Sequence, residues 1–484
     1  MGTLLNFIIL IPIIAAILIF ISPGDVKRFS RYIYLFFTTL NFVIVMLFFY
    51  FFKSQIGNII PRWSVKYEWL PFYGVNYYIG IDGISFPFVF IVNFLFLLSA
   101  LLHFSSSSSS SSMKNKDYAF SRTPQKPLEL LLLLQAIFLG YYMSLDLFLM
   151  FVFFFIMIIP IFFLLLSERD DENSRTEVVR FSTQSLLSSF LLLVVVLGIY
   201  FANGTTKGNF DLLKLYEVGT WIKNVEIFQK YFDLNIIFFW LLVGAIVTRM
   251  SLVPLHQELK AIFRSEQGRE QERELSSIEI IILALFPLTG MYLILKLLIP
   301  LFSELVVKNH SICMGYAIFG ALYASIGMLV DKRENKISFY NYILLISLLF
   351  FATISLDYKV TSYAILLAMF ISVSLFYRGI FVSNVIVSFL IIINIVLGVY
   401  EKDKMYSFMF LTILFLSTAK TLHYFYKAKE KLKLGIIKYQ GHLTEKIFIF
   451  LTCVLMLMLC IYPAPISGIV KKPLKQLEVF LDSY

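Results

Sequence analysis

The sequence is poor in charge, in cysteine and in motifs for cofactor chemistry. Asp, Glu, Lys and Arg make up 15% of its 484 residues, against about 25% in soluble domains. The three cysteines, Cys313, Cys453 and Cys460, show no metal-ligand spacing, and we predict that they are small buried residues. There is no Gly-rich phosphate loop, CxxC pair or HExxH motif. The chain itself is therefore expected to hold no flavin, iron–sulfur cluster, haem or metal.

Apolar residues dominate the composition. They make up 59% of the chain, aromatic residues make up 17%, and the mean hydropathy is +0.82. This composition excludes a soluble enzyme, a disordered chain and a nucleic-acid-binding domain. Because a helix needs about 20 apolar residues to cross a bilayer, and because long continuous runs in lipid must be helical, we predict an all-α polytopic membrane protein of about fourteen transmembrane helices.

The apolar runs place these helices along a single membrane domain, residues 1–484. They lie at about 3–22, 29–52, 85–104, 127–142, 144–166, 181–202, 235–256, 277–303, 310–329, 336–356, 361–377, 380–399, 404–424 and 445–464. Between them we predict a Ser-rich loop at 105–126, which contains the tract Ser105–Ser112, and a charged loop at 257–276. Loops after odd-numbered helices carry more Lys and Arg, so they are expected to face the compartment of synthesis, with both termini opposite.

Ionisable residues inside apolar runs are the candidates for function, because each is costly at the bilayer centre. Arg249 lies in FFWLLVGAIVTRMSLVPLHQELK, and Pro254 follows it closely enough to break the helix. Broken helices that carry a charge form ion sites in transporters; the alternative is an arginine that extends to the membrane surface. Asp146 begins a predicted helix, so it is either functional or an N-cap. Arg180, Lys420 and Glu445 lie near helix ends, where each could equally be an interface anchor.

Several segments resemble one known family. They are YYIGIDGISFPF (77–88), LLLLQAIFLGYYMSLDLFLMFVFFFIMIIP (131–160), TRMSLVPLH (248–256), LHYFY (422–426) and HLTEKIFIFLTCVLMLMLCIYPAP (442–465). In this order they resemble the antiporter-like membrane-arm subunits of respiratory complex I, and within that family the subunit 4 branch of mitochondrial NADH:ubiquinone oxidoreductase. The resemblance implies fourteen helices, two inverted five-helix repeats, and breaks in helices 7 and 12.

The resemblance also implies a function. Such a subunit couples electron transfer from NADH to ubiquinone to proton translocation through an antiporter-like channel. FMN, iron–sulfur clusters and ubiquinone would bind partner subunits, and the partners would be sister core subunits, accessory subunits and lipids such as cardiolipin. The implied location is the mitochondrial inner membrane. The many Phe, Tyr and Ile residues also favour it, because they suggest an A/T-rich organellar genome. A bacterial plasma membrane is the alternative.

The family's ionisable residues carry over only in part. The resemblance keeps Asp146, His256 and Glu445, and it puts Arg180 and Arg249 where the sixth and seventh helices have lysine. The other family positions carry non-ionisable residues: Gln135 and Phe155 for the glutamates of helices 4 and 5, Phe286 or Pro287 for the lysine of helix 8, Leu345 and Ser362 for the histidines of helices 10 and 11, and Ser388 for the glutamate of helix 12.

These replacements leave three functions open. A proton relay needs groups that take up and release protons, and an arginine in a protein is effectively always charged. The chain is therefore a proton-pumping subunit of complex I, a structural membrane-arm subunit with reduced or lost pumping, or a free-standing cation/proton antiporter. A free-standing antiporter would most need an intact path of ionisable residues of its own.

Overall fold

The computed structural model describes most of the chain up to residue 374 and a segment near the C-terminus. The described residues are 3–22, 29–52, 61, 63–109, 127–169, 172–202, 210–218, 234–263, 276–331, 334–374 and 464–482, with isolated positions at 395, 399, 404–406 and 409. All structural statements below concern these residues.

Helices dominate the described residues. The first group is α1 (Thr3–Ile21), α2 (Ser30–Phe52), α3 (Ser85–Ser109), α4 (Leu128–Met143), α5 (Leu147–Ile156), α6 (Ile158–Ser167), α7 (Glu172–Ala202), α8 (Leu212–Val218) and α9 (Leu234–Arg249). After a 3-10 turn at Leu255–Leu259 come α10 (Lys260–Phe263), α11 (Ser277–Leu293), a π-helical segment (Ile294–Leu298), α12 (Ile299–Leu301), α13 (Ser303–Lys308), α14 (His310–Val330), α15 (Glu334–Ile354), α16 (Tyr358–Ser374) and α17 (Ala464–Asp482).

The length and apolarity of these helices confirm a multi-pass membrane protein. Among the described residues, eight helical stretches are long and apolar enough to cross a bilayer, from Leu4–Ile21 to Lys336–Ile354. The apolar helices α4 and α9 are shorter, at 16 residues each. The predicted spans at 380–399, 404–424 and 445–464, and with them the break in helix 12, lie outside the described residues except at isolated positions.

The chain forms two compact units. Unit 1 comprises residues 1–245 and 277–282, and unit 2 comprises residues 246–276 and 283–484. The single predicted membrane domain is thus subdivided near the C-terminal end of α9 and near the N-terminal end of α11.

Helix α4 lies at the centre of unit 1. It packs against α1 and α3, and nearly all of its residues are buried. A helix buried on every side is apolar all round rather than amphipathic, as the sequence LELLLLLQAIFLGYYM shows. The helices α1, α2 and α7 instead expose large apolar side chains, such as Phe20, Phe36 and Phe190. An apolar outer face of this kind suits lipid.

Unit 2 is built around the pair α14 and α15. Helix α16 packs on α15, and α17 packs on α16. In α17 the residues Val470, Leu474 and Leu477 are buried, whereas Lys471 and Lys472 are exposed. This alternation at helical spacing makes α17 an amphipathic helix whose apolar face covers the unit.

A β-hairpin in unit 1 departs from the all-helical prediction. Strands β1 (Ser64–Leu70) and β2 (Val75–Gly80) are antiparallel, with Ser64 opposite Gly80. The strands are rich in Val and Tyr, which favour extended structure. Gly74 ends the connecting turn at φ 70°, in the left-handed region that glycine adopts without strain.

The two predicted loops are partly helical. Helix α3 continues through Ser109, so residues 105–109 of the predicted Ser-rich loop are helical. Of the predicted charged loop, residues 257–263 belong to the 3-10 turn and to α10. Elongating an existing helix needs no new nucleus, and this explains why serines of modest propensity extend α3. Residues 110–126 and 264–275 lie outside the described part of the chain.

Candidate functional site

Arg249 is the last residue of α9 and is fully buried in unit 2. Its Nε donates a hydrogen bond to Thr289 Oγ1 at 3.1 Å, and its guanidinium carbon lies 4.0 Å from the centroid of the Phe286 ring. Both partners are on α11. The Thr289 hydroxyl in turn donates to the Phe286 carbonyl oxygen at 2.6 Å, so its oxygen is oriented to accept from Arg249. An aromatic face and a hydroxyl thus stabilise a cation that the sequence places inside an apolar run.

The helix breaks directly after Arg249, as the sequence predicts from Pro254. Ser251 has φ 55°, which turns the backbone out of the helix, and the Leu252 N–H donates to the Val247 carbonyl oxygen at 3.1 Å. Met250 fits only because Gly290 of α11 has no side chain: a Cβ there would be 2.3 Å from Met250 Cγ. The break and the close approach of α11 together enclose Arg249.

His256 follows the break and is also buried. Its Nε2 lies 3.0 Å from the hydroxyl oxygen of Tyr323, and its ring contacts Tyr323 and Phe339. The Tyr316 hydroxyl donates to the Val253 carbonyl oxygen. Because Tyr316 and Tyr323 are two turns apart on α14, one face of α14 holds the segment from Val253 to His256.

Lys296 is a buried cation that the sequence analysis missed. It is 1% exposed and lies in the π-helical segment Ile294–Leu298, which continues α11 within unit 2. Pro300 has no N–H, so it cannot donate to the carbonyl oxygen of Lys296, four residues earlier. The Ile299 N–H donates to the carbonyl oxygen of Ile294, five residues earlier, which is the π-helical pattern. Such π segments are frequent at functional sites. A lysine within the apolar run 277–303 was the signal that could have identified it.

Unit 1 contains a buried ion pair that the sequence analysis also missed. Arg169 Nη2 and Glu279 Oε1 are 2.5 Å apart, and both side chains are almost completely buried. Arg169 follows α6, and Glu279 lies in the first turn of α11. Arg175 Nε donates to the Arg169 carbonyl oxygen at 3.3 Å, which ties α7 to the same point. The acidic residue inside the run 277–303 was the available signal.

Asp146 is the N-cap of α5. Its Oδ1 accepts from the N–H groups of Phe148 at 3.0 Å and Leu149 at 3.1 Å, and its Oδ2 accepts from the Asn76 N–H of the hairpin at 3.0 Å. Burial is the largest influence on this carboxyl and raises its pKa from 3.8 to about 6; the three N–H groups oppose the shift, and the charge of Asp211 makes a small contribution in the same direction as burial. The capping alternative therefore accounts for Asp146, which also holds the hairpin.

The remaining predicted residues are dispersed. Arg180 is exposed on α7, so the structure does not bring it into the buried interior. Phe155 is 42% exposed on α5. Gln135 is buried in α4, and its Nε2 donates to Asn93 Oδ1 of α3 at 3.0 Å. Lys420, Glu445 and Ser388 lie outside the described residues. Within those residues, no group of three or more His, Cys, Asp or Glu side chains could hold a metal ion.

Comparison with known proteins identifies relatives by sequence. NADH-ubiquinone oxidoreductase chain 4 of Chondrus crispus is 24% identical over 333 residues, which cover 69% of this chain and 60% of that protein. NADH-quinone oxidoreductase subunit M of Rickettsia felis is 22% identical over 342 residues, 70% of this chain and 62% of that protein. The chain is a homologue of these subunits. The matched part spans about 60% of the length of the curated chain 4 relative from Chondrus crispus. No protein-family model matches the chain.

Solved structures show the same fold. A chain of respiratory complex I from Thermus thermophilus with bound NADH has a TM-score of 0.75 at 18% identity and covers 99% of both chains. A chain of the Mrp complex from Dietzia has a TM-score of 0.65 at 13% identity and covers 87% of this chain and 78% of that one. At these identities the likeness shows the fold, and it confirms that the chain is antiporter-like.

The contact between Arg249 and Phe286 lies where the family resemblance implies a lysine. The family resemblance puts a lysine of helix 8 at Phe286 or Pro287, and in this chain Phe286 contacts Arg249. The buried lysine of the same helix is Lys296, about two and a half turns later. Among the described residues of unit 2, the buried Lys and Arg side chains are thus Arg249 and Lys296.

Removing one partner of the ion pair is expected to destabilise unit 1 strongly. Glu279→Gln leaves the charge of Arg169 buried without its carboxylate, and Arg169→Gln has the converse effect. Each single change should lower the free energy of unfolding by about 3–5 kcal/mol, whereas the double variant Arg169→Met/Glu279→Leu should lower it by less than either single change. Thermal unfolding of the detergent-solubilised protein in its native assembly measures this. The exposed Glu172→Gln is the control, and additive single costs in the double variant would contradict a coupled pair.

Asp146 is expected to titrate near pH 6. Because its pKa in the folded chain lies above the ordinary value of an aspartate, it holds a proton between about pH 4 and pH 6 that the unfolded chain has released. Its stabilising contribution is thus complete below about pH 4 and is lost as the pH rises through about 6. The carboxylic acid infrared band, taken as the difference between the native chain and Asp146→Asn, should vanish with a midpoint near 6. Asp211→Asn should lower that midpoint; a midpoint near 4 in the native chain would contradict the assignment.

Proposed function

We propose that the chain is a core membrane-arm subunit of an NADH:quinone oxidoreductase of the complex I type. In this role it couples electron transfer elsewhere in the assembly to proton translocation through its antiporter-like fold. The observation that supports this best is in unit 2, where Lys296 is fully buried in a π-helical segment and Arg249 is fully buried at the break of α9. Buried cations in membrane segments are expensive and are rare unless they are used.

The two cations have different chemical capacities. Lys296 can give up and regain a proton, so it can serve as a carrier, whereas Arg249 keeps its charge. The fixed charge of Arg249, held by Thr289 and Phe286, provides a constant field that favours anionic or neutral groups nearby. His256 is a further residue of a type that can exchange a proton. These three residues support proton handling in unit 2.

Unit 1 supports a more limited role. At the family's glutamate positions it has Gln135, which cannot store a proton, and Phe155, which is partly exposed on the outside of α5. Among its buried charged residues, Arg169 and Glu279 neutralise each other. Asp146, whose pKa burial raises to about 6, is held as the N-cap of α5 by backbone N–H groups. We therefore infer that the proton carrier of the described chain is in unit 2, and that unit 1 contributes mainly structure. This view lies between the pumping and the purely structural alternatives.

Under the same proposal, the redox cofactors bind outside this chain. FMN, iron–sulfur clusters and ubiquinone would bind other subunits, and this chain would contact sister antiporter-like subunits, accessory subunits and membrane lipids. The relatives include a chain 4 from Chondrus crispus and a subunit M from Rickettsia felis. The proposed location is the mitochondrial inner membrane, with a bacterial plasma membrane as the alternative.

Replacement of Lys296 tests the proposal. Lys296→Met removes the proton-exchanging group but keeps an unbranched apolar side chain, and the proton step that depends on it should slow by about 10²-fold or more. Lys296→Arg should be equally defective, because it keeps the charge but cannot release the proton. The measurement is the number of protons translocated per electron in sealed vesicles that contain the assembled complex. NADH oxidation in uncoupled vesicles verifies that electron transfer is intact.

The exposed Lys308→Met, on α13, is the matched control and should leave the proton-to-electron ratio unchanged. An unchanged ratio in both Lys296 variants, with normal assembly, would contradict a carrier role. Native electrophoresis separates the remaining alternatives. The chain should migrate with NADH dehydrogenase activity in a large complex, and migration only as a small oligomer without that activity would support a free-standing antiporter instead.

A further inference from the structure

Helix α11 contains a buried proline, Pro287, in the part that belongs to unit 2. Proline has no N–H, so within a helix it leaves the carbonyl oxygen four residues earlier without its usual donor. For Pro287 that oxygen belongs to Leu283, which is 1% exposed. A buried carbonyl without a donor is costly, and in an apolar interior the substitute must come from a neighbouring helix. One backbone position of α11 therefore depends on the helices around it.

Tyr342 of α15 supplies the missing donor. Its hydroxyl donates to the Leu283 carbonyl oxygen at 2.7 Å, and its side chain is buried. The Ser372 hydroxyl of α16 reaches the next carbonyl oxygen, that of Ala284, at 3.3 Å, but it makes a shorter bond of 2.7 Å to Ala368 of its own helix. Among the described residues, Tyr342 is thus the side chain that replaces the lost backbone donor at Leu283.

The same arrangement occurs in unit 1. Pro12 lies inside α1, and it deprives the Ile8 carbonyl oxygen of its backbone donor. Asn41 of α2 is fully buried, and its Nδ2 donates to that oxygen at 3.1 Å. Two prolines inside apolar helices are thus each matched by a polar side chain of a neighbouring helix. The recurrence indicates that the contact at Leu283 is a requirement of the packing.

The turn of α11 that contains Pro287 also carries the partners of Arg249. Phe286 immediately precedes the proline, and its ring centroid lies 4.0 Å from the guanidinium carbon. Thr289 follows the proline and accepts from Arg249 Nε at 3.1 Å. The backbone between these two partners is where a helix that lacks a hydrogen bond bends most easily. A donor that holds Leu283 therefore also holds the two groups that contact Arg249.

The ring of Tyr342 is held independently of its hydroxyl. It contacts the ring of Phe263 on α10, with centroids 5.7 Å apart. Phe339, one turn earlier on α15, contacts Phe263 at 5.6 Å and His256 at 5.9 Å. Helix α15 therefore joins α11 to the segment that follows the break of α9. Because the ring contacts do not involve the hydroxyl, removing the hydroxyl alone should leave this aromatic packing in place.

We propose that Tyr342 is a positioning residue for Arg249. Its hydroxyl replaces the N–H that Pro287 lacks, and it fixes the turn of α11 from which Phe286 and Thr289 contact the guanidinium. Tyr342 acts through α11 and carries no proton itself. The inference rests on the proposed function, in which Arg249 provides a fixed charge for proton translocation, but its structural part can be tested without any activity.

A double-mutant cycle tests the hydrogen bond. Tyr342→Phe keeps the ring and leaves the Leu283 carbonyl oxygen without this donor, so thermal unfolding of the chain in its native assembly should shift to lower temperature. Pro287→Ala restores a backbone N–H for the same oxygen, so in that background Tyr342→Phe should add little. Equal shifts in both backgrounds would overturn the assignment. Tyr340→Phe, which removes a half-buried hydroxyl from the same helix, is the control and should shift unfolding little.

The effect on Arg249 is measured by structure and by transport. A high-resolution map of Tyr342→Phe in the native assembly should show Arg249 Nε more than about 3.5 Å from Thr289 Oγ1. Proton translocation in sealed vesicles should fall by about tenfold, because a small displacement of a fixed charge is costly to the step that it supports. NADH oxidation in uncoupled vesicles should be kept. An unchanged contact between Arg249 and Thr289, or normal translocation, would overturn the positioning role even if the variant is less stable.

Asn41→Leu separates positioning from a general loss of stability. It removes the donor to Ile8, a contact that involves neither Arg249 nor its partners. Thermal unfolding should therefore shift to lower temperature, while proton translocation is kept. A comparable loss of translocation in Asn41→Leu would show that any weakened proline turn impairs the complex, and it would overturn the specific role of Tyr342.

These outcomes are distinguishable from failure of the proposed function. If Lys296→Met uncouples the complex and Tyr342→Phe does not, the proposed function stands and the positioning role is wrong. If the chain is absent from any NADH-oxidising complex, the proposed function fails, while the double-mutant cycle still decides whether Tyr342 holds the proline turn of α11.

Discussion

The stability of unit 2 depends on how a permanent positive charge is accommodated in an apolar interior. Arg249 cannot lose its charge, so the surrounding structure must stabilise it. An aromatic face at Phe286, a hydroxyl at Thr289, and the backbone turn that starts at Met250 do this together. The first two features require α11 to approach Arg249 closely, and the absence of a side chain at Gly290 leaves room there for Met250. The break of α9 is therefore part of the charge site rather than a separate feature.

Unit 1 meets the same constraint by different means. Arg169 and Glu279 neutralise each other at 2.5 Å, Asp146 is satisfied by three backbone N–H groups, and Asp211 accepts from Lys66 of the hairpin at 2.7 Å. A paired or capped charge is held in place by its partners and is costly to move. These described charges of unit 1 thus maintain the arrangement of its helices and its hairpin.

The contrast between the units bears on how an antiporter-like fold can change its function. The fold is preserved at 18% identity to a chain of a bacterial complex I, which shows that apolar packing tolerates extensive replacement. Charged groups are under a stricter constraint, because each needs a partner once helix packing has removed it from water. At Gln135 a neutral amide joins α4 to α3 without a titratable group.

Much of the architecture was predictable because it depends on local properties of the chain. Hydropathy locates α1, α2 and α14 within a few residues, since each crossing must be an apolar run of sufficient length. The break after Arg249 was also predictable, because Pro254 cannot continue a helix. The hairpin at Ser64–Gly80 was not, since its short alternating strands lie between long apolar runs that dominate any average over the sequence.

The sequence by itself determined that this is a polytopic membrane protein with an arginine ahead of a helix break, because length, apolarity and proline act on neighbouring residues. Only the tertiary structure decided that this arginine is buried and which buried charges are paired. Arg169 and Glu279 are 110 residues apart, and nothing local marks them as partners, since their attraction exists only once helix packing has removed both from water. Lys296 was visible as a residue but not as a site, because its burial and its π-helical setting depend on the helices that surround it.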